Sequence, residues 1–258
     1  MSRLAHTTTN PRCLAVVPAY NEADNVANVV RALHHDAPGF HVVVIDDGST
    51  DATATRAAEA GARVVTLPFN LGIGGAVQTG FTFAREHDYE YMVQVDGDGQ
   101  HDPGEIASLQ AAMAQTPDVD MICGSRFAQD TGYVAPISRR TGIHIFAFVL
   151  SRLVGQPVTD PTSGFRLYNR RAIQLFARDY PHDYPEVEAV LMLHHHRLRM
   201  REIPVRMFQR GGGVSSLSSG KSAYYMLKVL LALFVGLARA RPVPEPGDLA
   251  PVAAEHGI

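Results

Sequence analysis

The chain has 258 residues, enough for one large domain or for a domain with an appendage, and either arrangement buries a substantial core. A formal net charge of -3 and a sequence pI near 6.4 leave no basic field for nucleic acid, which excludes DNA and RNA as expected partners. The two cysteines, Cys13 and Cys123, form no CxxC pair and signal neither a disulfide framework nor a zinc knuckle, which fits a reducing, cytosolic setting.

Residues 1–12 are polar, lack the apolar stretch of a secretory signal and are expected to form a flexible tail. Residues 13–17 are a short apolar run ending at Pro18, and residues 21–33 carry apolar side chains at helical spacing (Val26, Val29, Val30, Leu33). A second β-branched run, 41–45, stops at Asp46-Asp47-Gly48-Ser49 and is followed by an alanine-rich helix over 51–61. Strands at 63–67 and 91–95 flank a glycine-opened helix at 72–87, and a helix over 105–115 leads to a strand at 120–123. Further helices are expected at 143–154, 172–177 and 186–197, and a strand at 202–208. Strands alternating with helices predict a mostly parallel sheet covered on both faces, with ligands gathering where the loops after Val17, Ile45 and Val95 emerge together.

The C-terminal part reads differently. An apolar segment, 223–240, contains Lys228 and falls short of the about 20 apolar residues needed to span a bilayer, so it reads as a membrane-interfacial helix. Residues 241–258 are proline-rich and expected to be disordered.

Asp96 and Asp98 stand two apart where a strand runs out, so in an extended segment both carboxylates face one side. Two hard oxygen ligands suit Mg²⁺ or Mn²⁺, completed by diphosphate oxygens, with Gln100 and His101 near enough to fill the shell. The plainer alternative is an acidic Asp-Gly turn. Asp46 and Asp47 also follow an apolar strand, where carboxylates accept hydrogen bonds from a base or ribose; helix capping accounts for Ser49 or Asp51 but not for this pair.

Val17-Pro18-Ala19-Tyr20-Asn21-Glu22, Val44-Ile45-Asp46-Asp47-Gly48-Ser49-Thr50-Asp51, Asn70-Leu71-Gly72-Ile73-Gly74-Gly75-Ala76, Asp96-Gly97-Asp98-Gly99-Gln100-His101, Gly124-Ser125-Arg126 and Asp160-Pro161-Thr162-Ser163-Gly164-Phe165-Arg166 follow one another in the chain. These six blocks, in this order, resemble family 2 glycosyltransferases, most nearly the dolichyl- and polyprenyl-phosphate sugar transferases, over roughly residues 14–233. The resemblance implies an α/β chain of GT-A fold at 13–222, taking a nucleotide sugar as donor (a UDP-sugar, or a GDP-sugar) and Mg²⁺ or Mn²⁺ as cofactor. It places Pro18, Ala19, Tyr20, Glu22 and Asp46 or Asp47 on the nucleoside, and Asp96, Gly97, Asp98 and Gln100 on the metal and diphosphate. Arg126 and Arg140 match arginines that face the acceptor phosphate, and Arg210 matches one that closes over the diphosphate.

Two positions depart from the family pattern. His144 stands where the polyprenyl-phosphate enzymes have serine, and the late R-x-x-G-x-S-K pattern lacks its lysine, for which Lys221 is the substitute. A lipid phosphate acceptor, with a second pKa of about 6, needs no strong base. A sugar hydroxyl does, and Asp160 is the candidate, with Glu186 and Glu188 behind it; a structural Asp capping the turn before Gly164 is the equal alternative for Asp160. The implied setting is the cytoplasmic membrane surface, with a small membrane-spanning partner or a homo-oligomer; a saccharide acceptor and a non-catalytic nucleotide-binding subunit are the other readings.

Three further patterns carry less. Residues 215–222 lack the first P-loop glycine, Gly72-Ile73-Gly74-Gly75 lacks the third dinucleotide-binding glycine, and His194, His195 and His196 point about 100° apart on a helix, too divergent for one metal.

Overall fold

The computed structural model describes residues 12–128, 137–182 and 184–208, with the backbone alone along 137–144. Seven strands, β1 (Cys13–Ala19), β2 (Phe40–Asp46), β3 (Arg63–Thr66), β4 (Tyr91–Gln94), β5 (Met121–Ser125), β6 (Arg166–Asn169) and β7 (Met200–Pro204), make one sheet in the order β3-β2-β1-β4-β6-β5-β7. All neighbours pair in parallel except β6, which runs antiparallel to both β4 and β5.

Helices α1 (Val26–Asp36), α2 (Thr53–Glu59) and α4 (Ile106–Gln115) cover one face, and α3 (Gly72–Glu86), α5 (Ile137–Val154), α6 (Arg170–Arg178) and α7 (Pro185–His195) cover the other. The division follows from strand pleating: Leu14 and Val16 of β1 join the second core, while Cys13, Ala15 and Val17 join the first. Around Phe81 of α3 the second core holds Tyr168, Phe176 and Tyr180, with ring centroids 4.8, 5.1 and 5.2 Å away, within the range of favourable aromatic pairs.

The chain reverses direction across the sheet between β1 and β4, and a crevice opens beyond their carboxyl ends. Because β6 is antiparallel, its first residue lies at that same edge, so the 160–165 loop arrives beside the ends of β4 and β5. The expected helix at 21–33 begins later, at Val26, because Asn21 and Glu22 are held in a loop. The strand expected at 202–208 lies at Met200–Pro204, where it pairs with β5.

Candidate active site

The loop after β1 supplies Pro18, Ala19, Tyr20, Asn21 and Glu22 to a cleft of about 530 Å³. Asp47 enters from the end of β2, Asn70, Gly72, Ile73 and Ala76 from the start of α3, and Asp96, Gly97 and Asp98 from beyond β4. Every predicted nucleoside-side residue except Asp46 therefore lines one space.

Hydrogen bonds hold the walls. The amides of Asn21, Glu22 and Ala23 donate to Ser49 Oγ (2.9 Å), Thr53 Oγ1 (2.9 Å) and Asp51 Oδ2 (3.2 Å), and Asn21 Oδ1 accepts from the Thr50 amide (2.9 Å). Asp47 is 3% exposed and accepts the amides of Leu71 (2.7 Å) and Gly72 (2.9 Å), so it caps the amino end of α3 while lining the cleft. Burial pushes its carboxyl up, the two amides oppose that, and Asp46 beside it adds to the rise. Asp46 is buried and accepts the Ser49 amide (3.2 Å), behind the cleft wall. Gly48, at φ +69°, leaves room for this wall, since a Cβ there would meet the Phe69 carbonyl carbon at 2.8 Å.

Asp96 and Asp98 share the cleft, but not through an extended strand. β4 ends at Gln94, and 96–100 fold into a turn with Gly99 at φ 75° and Asp98 Oδ1 accepting the Gln100 amide (3.0 Å). His101 does not offer Nδ1 as a ligand: that atom accepts the Asp96 amide (3.0 Å), which puts the ring proton on Nε2, 3.6 Å from Asp96 Oδ2. The His101 ring is buried and stacks on Phe165, with centroids 5.0 Å apart, so it braces Asp96 from behind. Among the described residues no three His, Cys, Asp or Glu side chains converge on one point. Two carboxylates facing a cleft wide enough for a diphosphate still fit Mg²⁺ or Mn²⁺, which bind through one or two carboxylates and take their remaining oxygens from substrate.

An adjoining recess of about 80 Å³ is lined by Asp96, Gln100, His101, Arg126, Thr162, Ser163, Gly164 and Met207. Asp160 stands behind it, 0% exposed, and receives Arg126 Nε on Oδ2 and Arg126 Nη2 on Oδ1, both at 2.7 Å, as well as the Arg126 amide on Oδ2 (3.1 Å). Of the two readings the sequence leaves for this residue, the geometry favours the structural one: both oxygens are engaged and neither meets solvent. Arg126 is thereby aimed along the recess wall, where Nη2 also donates to Thr162 Oγ1 (2.8 Å). Glu202 completes the support by accepting the Thr159 amide (2.7 Å), the Thr159 hydroxyl (2.7 Å) and the Asp160 amide (3.0 Å). Burial raises its carboxyl and those hydrogen bonds oppose the rise. Nothing in the sequence pointed to Glu202, 42 residues from Asp160.

Glu186 and Glu188 are half-buried in the first turn of α7. The Glu186 carboxyl is raised by burial; its own amide and the Arg166 charge oppose this, and Asp96 adds to it. Arg140 and His144 lie within α5, in the part described by backbone alone. Arg210, Lys221, the 215–222 segment, the apolar segment 223–240 and the tail 241–258 lie outside the described residues.

The sequence profile described as glycosyl transferase family 2 matches residues 14–176, which contain all six motif blocks. The chain belongs to glycosyl transferase family 2. Within it, the polyprenol monophosphomannose synthase of Mycolicibacterium smegmatis is 29% identical over 228 residues, covering 84% of this chain and 85% of that one. The undecaprenyl-phosphate mannosyltransferase of Micrococcus luteus is 30% identical over 218 residues, covering 81% and 88%. Among solved structures, glucosyl-3-phosphoglycerate synthase from Mycobacterium tuberculosis, in complex with Mn²⁺, UDP and glucosyl-3-phosphoglycerate, superposes with a TM-score of 0.65 at 17% identity, over 90% of this chain and 81% of that one. At that identity the likeness speaks for the shared GT-A fold, and the family assignment makes the chain a nucleotide-sugar-dependent glycosyltransferase.

Proposed function

We propose that this glycosyltransferase moves a sugar, with inversion, from a UDP- or GDP-sugar to a polyprenyl phosphate at the cytoplasmic membrane surface, assisted by Mg²⁺ or Mn²⁺. The observation that carries this is the adjacency of two unlike spaces: a carboxylate-bearing cleft and an arginine-lined recess that share Asp96. Pro18, Ala19, Tyr20, Glu22 and Asp47 would hold the nucleoside, and Asp96, Gly97 and Asp98 the metal-bound diphosphate, with Gln100 from the recess side. Bound there, the cation neutralises the charge that builds on the leaving diphosphate. Arg126, and Arg140 from α5, would orient the acceptor phosphate, for which a guanidinium fork is well shaped. Arg210 and Lys221 would close over the donor.

The engagement of Asp160 supports an acceptor that is already anionic. A polyprenyl phosphate monoester attacks without surrendering a proton to a base, whereas a sugar hydroxyl needs one. A saccharide acceptor is the second reading because of Glu186, a half-buried carboxyl whose pKa is raised by burial, with the charge of Asp96 adding to the rise.

Attachment to the membrane surface is supported by the outer side of α5, where Ile145 and Phe148 are exposed and the Arg152 guanidinium lies 5.1 Å from the Phe148 ring centroid. None of the described helices is long and apolar enough to cross a membrane. A small membrane-spanning partner or a second copy would add further anchorage.

The test is incubation of the chain with Mg²⁺ or Mn²⁺, a panel of UDP-, GDP- and dTDP-sugars, and polyprenyl phosphate, read by mass spectrometry. A sugar–lipid phosphate from one donor is expected. Hydrolysis of the donor without lipid product would turn the reading to a saccharide acceptor, and no turnover at all would overturn the transfer reaction.

A further inference from the structure

Arg166 opens β6, paired with Gln94 of β4 on one side and Cys123 of β5 on the other, in the middle of the sheet. It is 1% exposed, an unusual place for a guanidinium. Nε donates to the Ser163 carbonyl (2.8 Å), and Nη2 to the carbonyls of Pro161 (3.3 Å) and Glu186 (2.7 Å). One planar group therefore ties the loop between Asp160 and β6 to the first turn of α7. The first of these segments lines the recess, and the second carries Glu186, whose carboxyl feels the charge of Asp96. A Cβ on Gly164 would lie 3.1 Å from each oxygen of Asp96, so this loop is the surface against which that carboxylate rests. Phe165, next along, carries the His101 ring that receives the Asp96 amide.

Among the described residues, Nη1 and the neighbouring Tyr168 hydroxyl are buried without a hydrogen-bond partner in good geometry. Burying a guanidinium charge with donors poorly matched costs free energy that a well-packed apolar residue would not. Packing alone therefore does not explain the arginine.

We infer that Arg166 is a positioning residue that sets the spacing between Asp96 and the first turn of α7 by holding Pro161, Ser163 and Glu186 at once. This rests on the proposed transfer reaction for its catalytic consequence, but not for its structural one. Lysine keeps the charge at this position but has no rigid fork to span three carbonyls, and methionine keeps the apolar stem alone.

The experiment compares Arg166→Lys and Arg166→Met with the wild-type chain by amide hydrogen exchange, by affinity for UDP with Mn²⁺, and by transfer kinetics at saturating donor. Exchange should rise together in 162–165 and 185–188 while β1 and β2 stay protected. In folded Arg166→Lys, kcat should fall about tenfold or more with donor KM within about threefold, since small misplacement acts on the reaction step more than on binding. Arg166→Met should weaken UDP–Mn²⁺ binding by about tenfold, through the unsupported Asp96. Exchange that rises in only one segment, or a folded Arg166→Lys with wild-type kcat, would overturn the inference. If the wild-type chain shows no transfer, the proposed function fails while exchange and UDP–Mn²⁺ affinity still decide this one: a coupled rise with weakened binding upholds it, and unchanged binding overturns it.

Discussion

Arg126 and Asp160 meet in a bidentate pair, Nε to Oδ2 and Nη2 to Oδ1, each at 2.7 Å, with the carboxylate sealed from solvent. Removing one partner of a buried pair strands the other charge, so Asp160→Ala and Arg126→Ala should each cost about 3–5 kcal/mol in chemical denaturation. The double variant should cost clearly less than their sum. Additive costs would mean that the pair is not coupled.

Asp47 joins two parts of the cleft by capping the amino end of α3 with the amides of Leu71 and Gly72. Asp47→Ala leaves those amides without their acceptor and should lower stability by about 1–2 kcal/mol. Because the same loop carries Asn70 and Ile73 into the cleft, the KM for donor should rise more than kcat falls, as initial-rate kinetics would report.

Gly164→Ala places a methyl 3.1 Å from both Asp96 oxygens, and the carboxylate must yield by a few tenths of an ångström. Transfer should fall by about tenfold. Thermal melting should also fall, because the same methyl lies 3.1 Å from Nε2 of Gln94, which is buried at the end of β4.

Much of this arrangement could be read from the sequence, and what could not has a common cause. The runs in β1, β2 and β5 announce themselves because each is largely apolar and stops at a polar loop. β6 does not, since only Leu167 and Tyr168 of its residues are apolar and it runs straight into α6 with no loop between them; it is a strand because β4 and β5 leave a place for it. Asp96, Asp98 and Asp47 were picked out and do share the cleft, because motif order carried their relation. Which of its two readings Asp160 fits is not legible in the sequence, because its partner, Arg126, is 34 residues away and spacing along the chain says nothing about that contact. At 96–100 the sequence allows an extended end or an acidic turn, and the turn is found, bent at Gly99 with φ 75°.

Asp51 accepts the Thr53 amide (2.9 Å), the Thr53 hydroxyl and the Ala23 amide (3.2 Å), tying the loop after β1 to α2. Burial alone would raise its carboxyl; the hydrogen bonds together outweigh that and hold it below the ordinary value of 3.8. A lowered folded-state pKa means that this stabilisation is present above the unfolded pKa and is lost as pH falls through the folded one. The melting-temperature gap between the wild-type chain and Asp51→Asn should therefore be constant from about pH 6 to 8 and close below about pH 4. A gap that widened on acidification would contradict this.

Calorimetric titration of UDP and of GDP, with and without Mn²⁺, into the wild-type chain and Asp98→Ala tests most directly whether the cleft is a metal-assisted nucleoside diphosphate site. One of the two nucleotides should bind measurably tighter with Mn²⁺ than without it, and Asp98→Ala should erase that difference while remaining folded. Equal binding with and without Mn²⁺, or a metal effect that survives Asp98→Ala, would contradict the account.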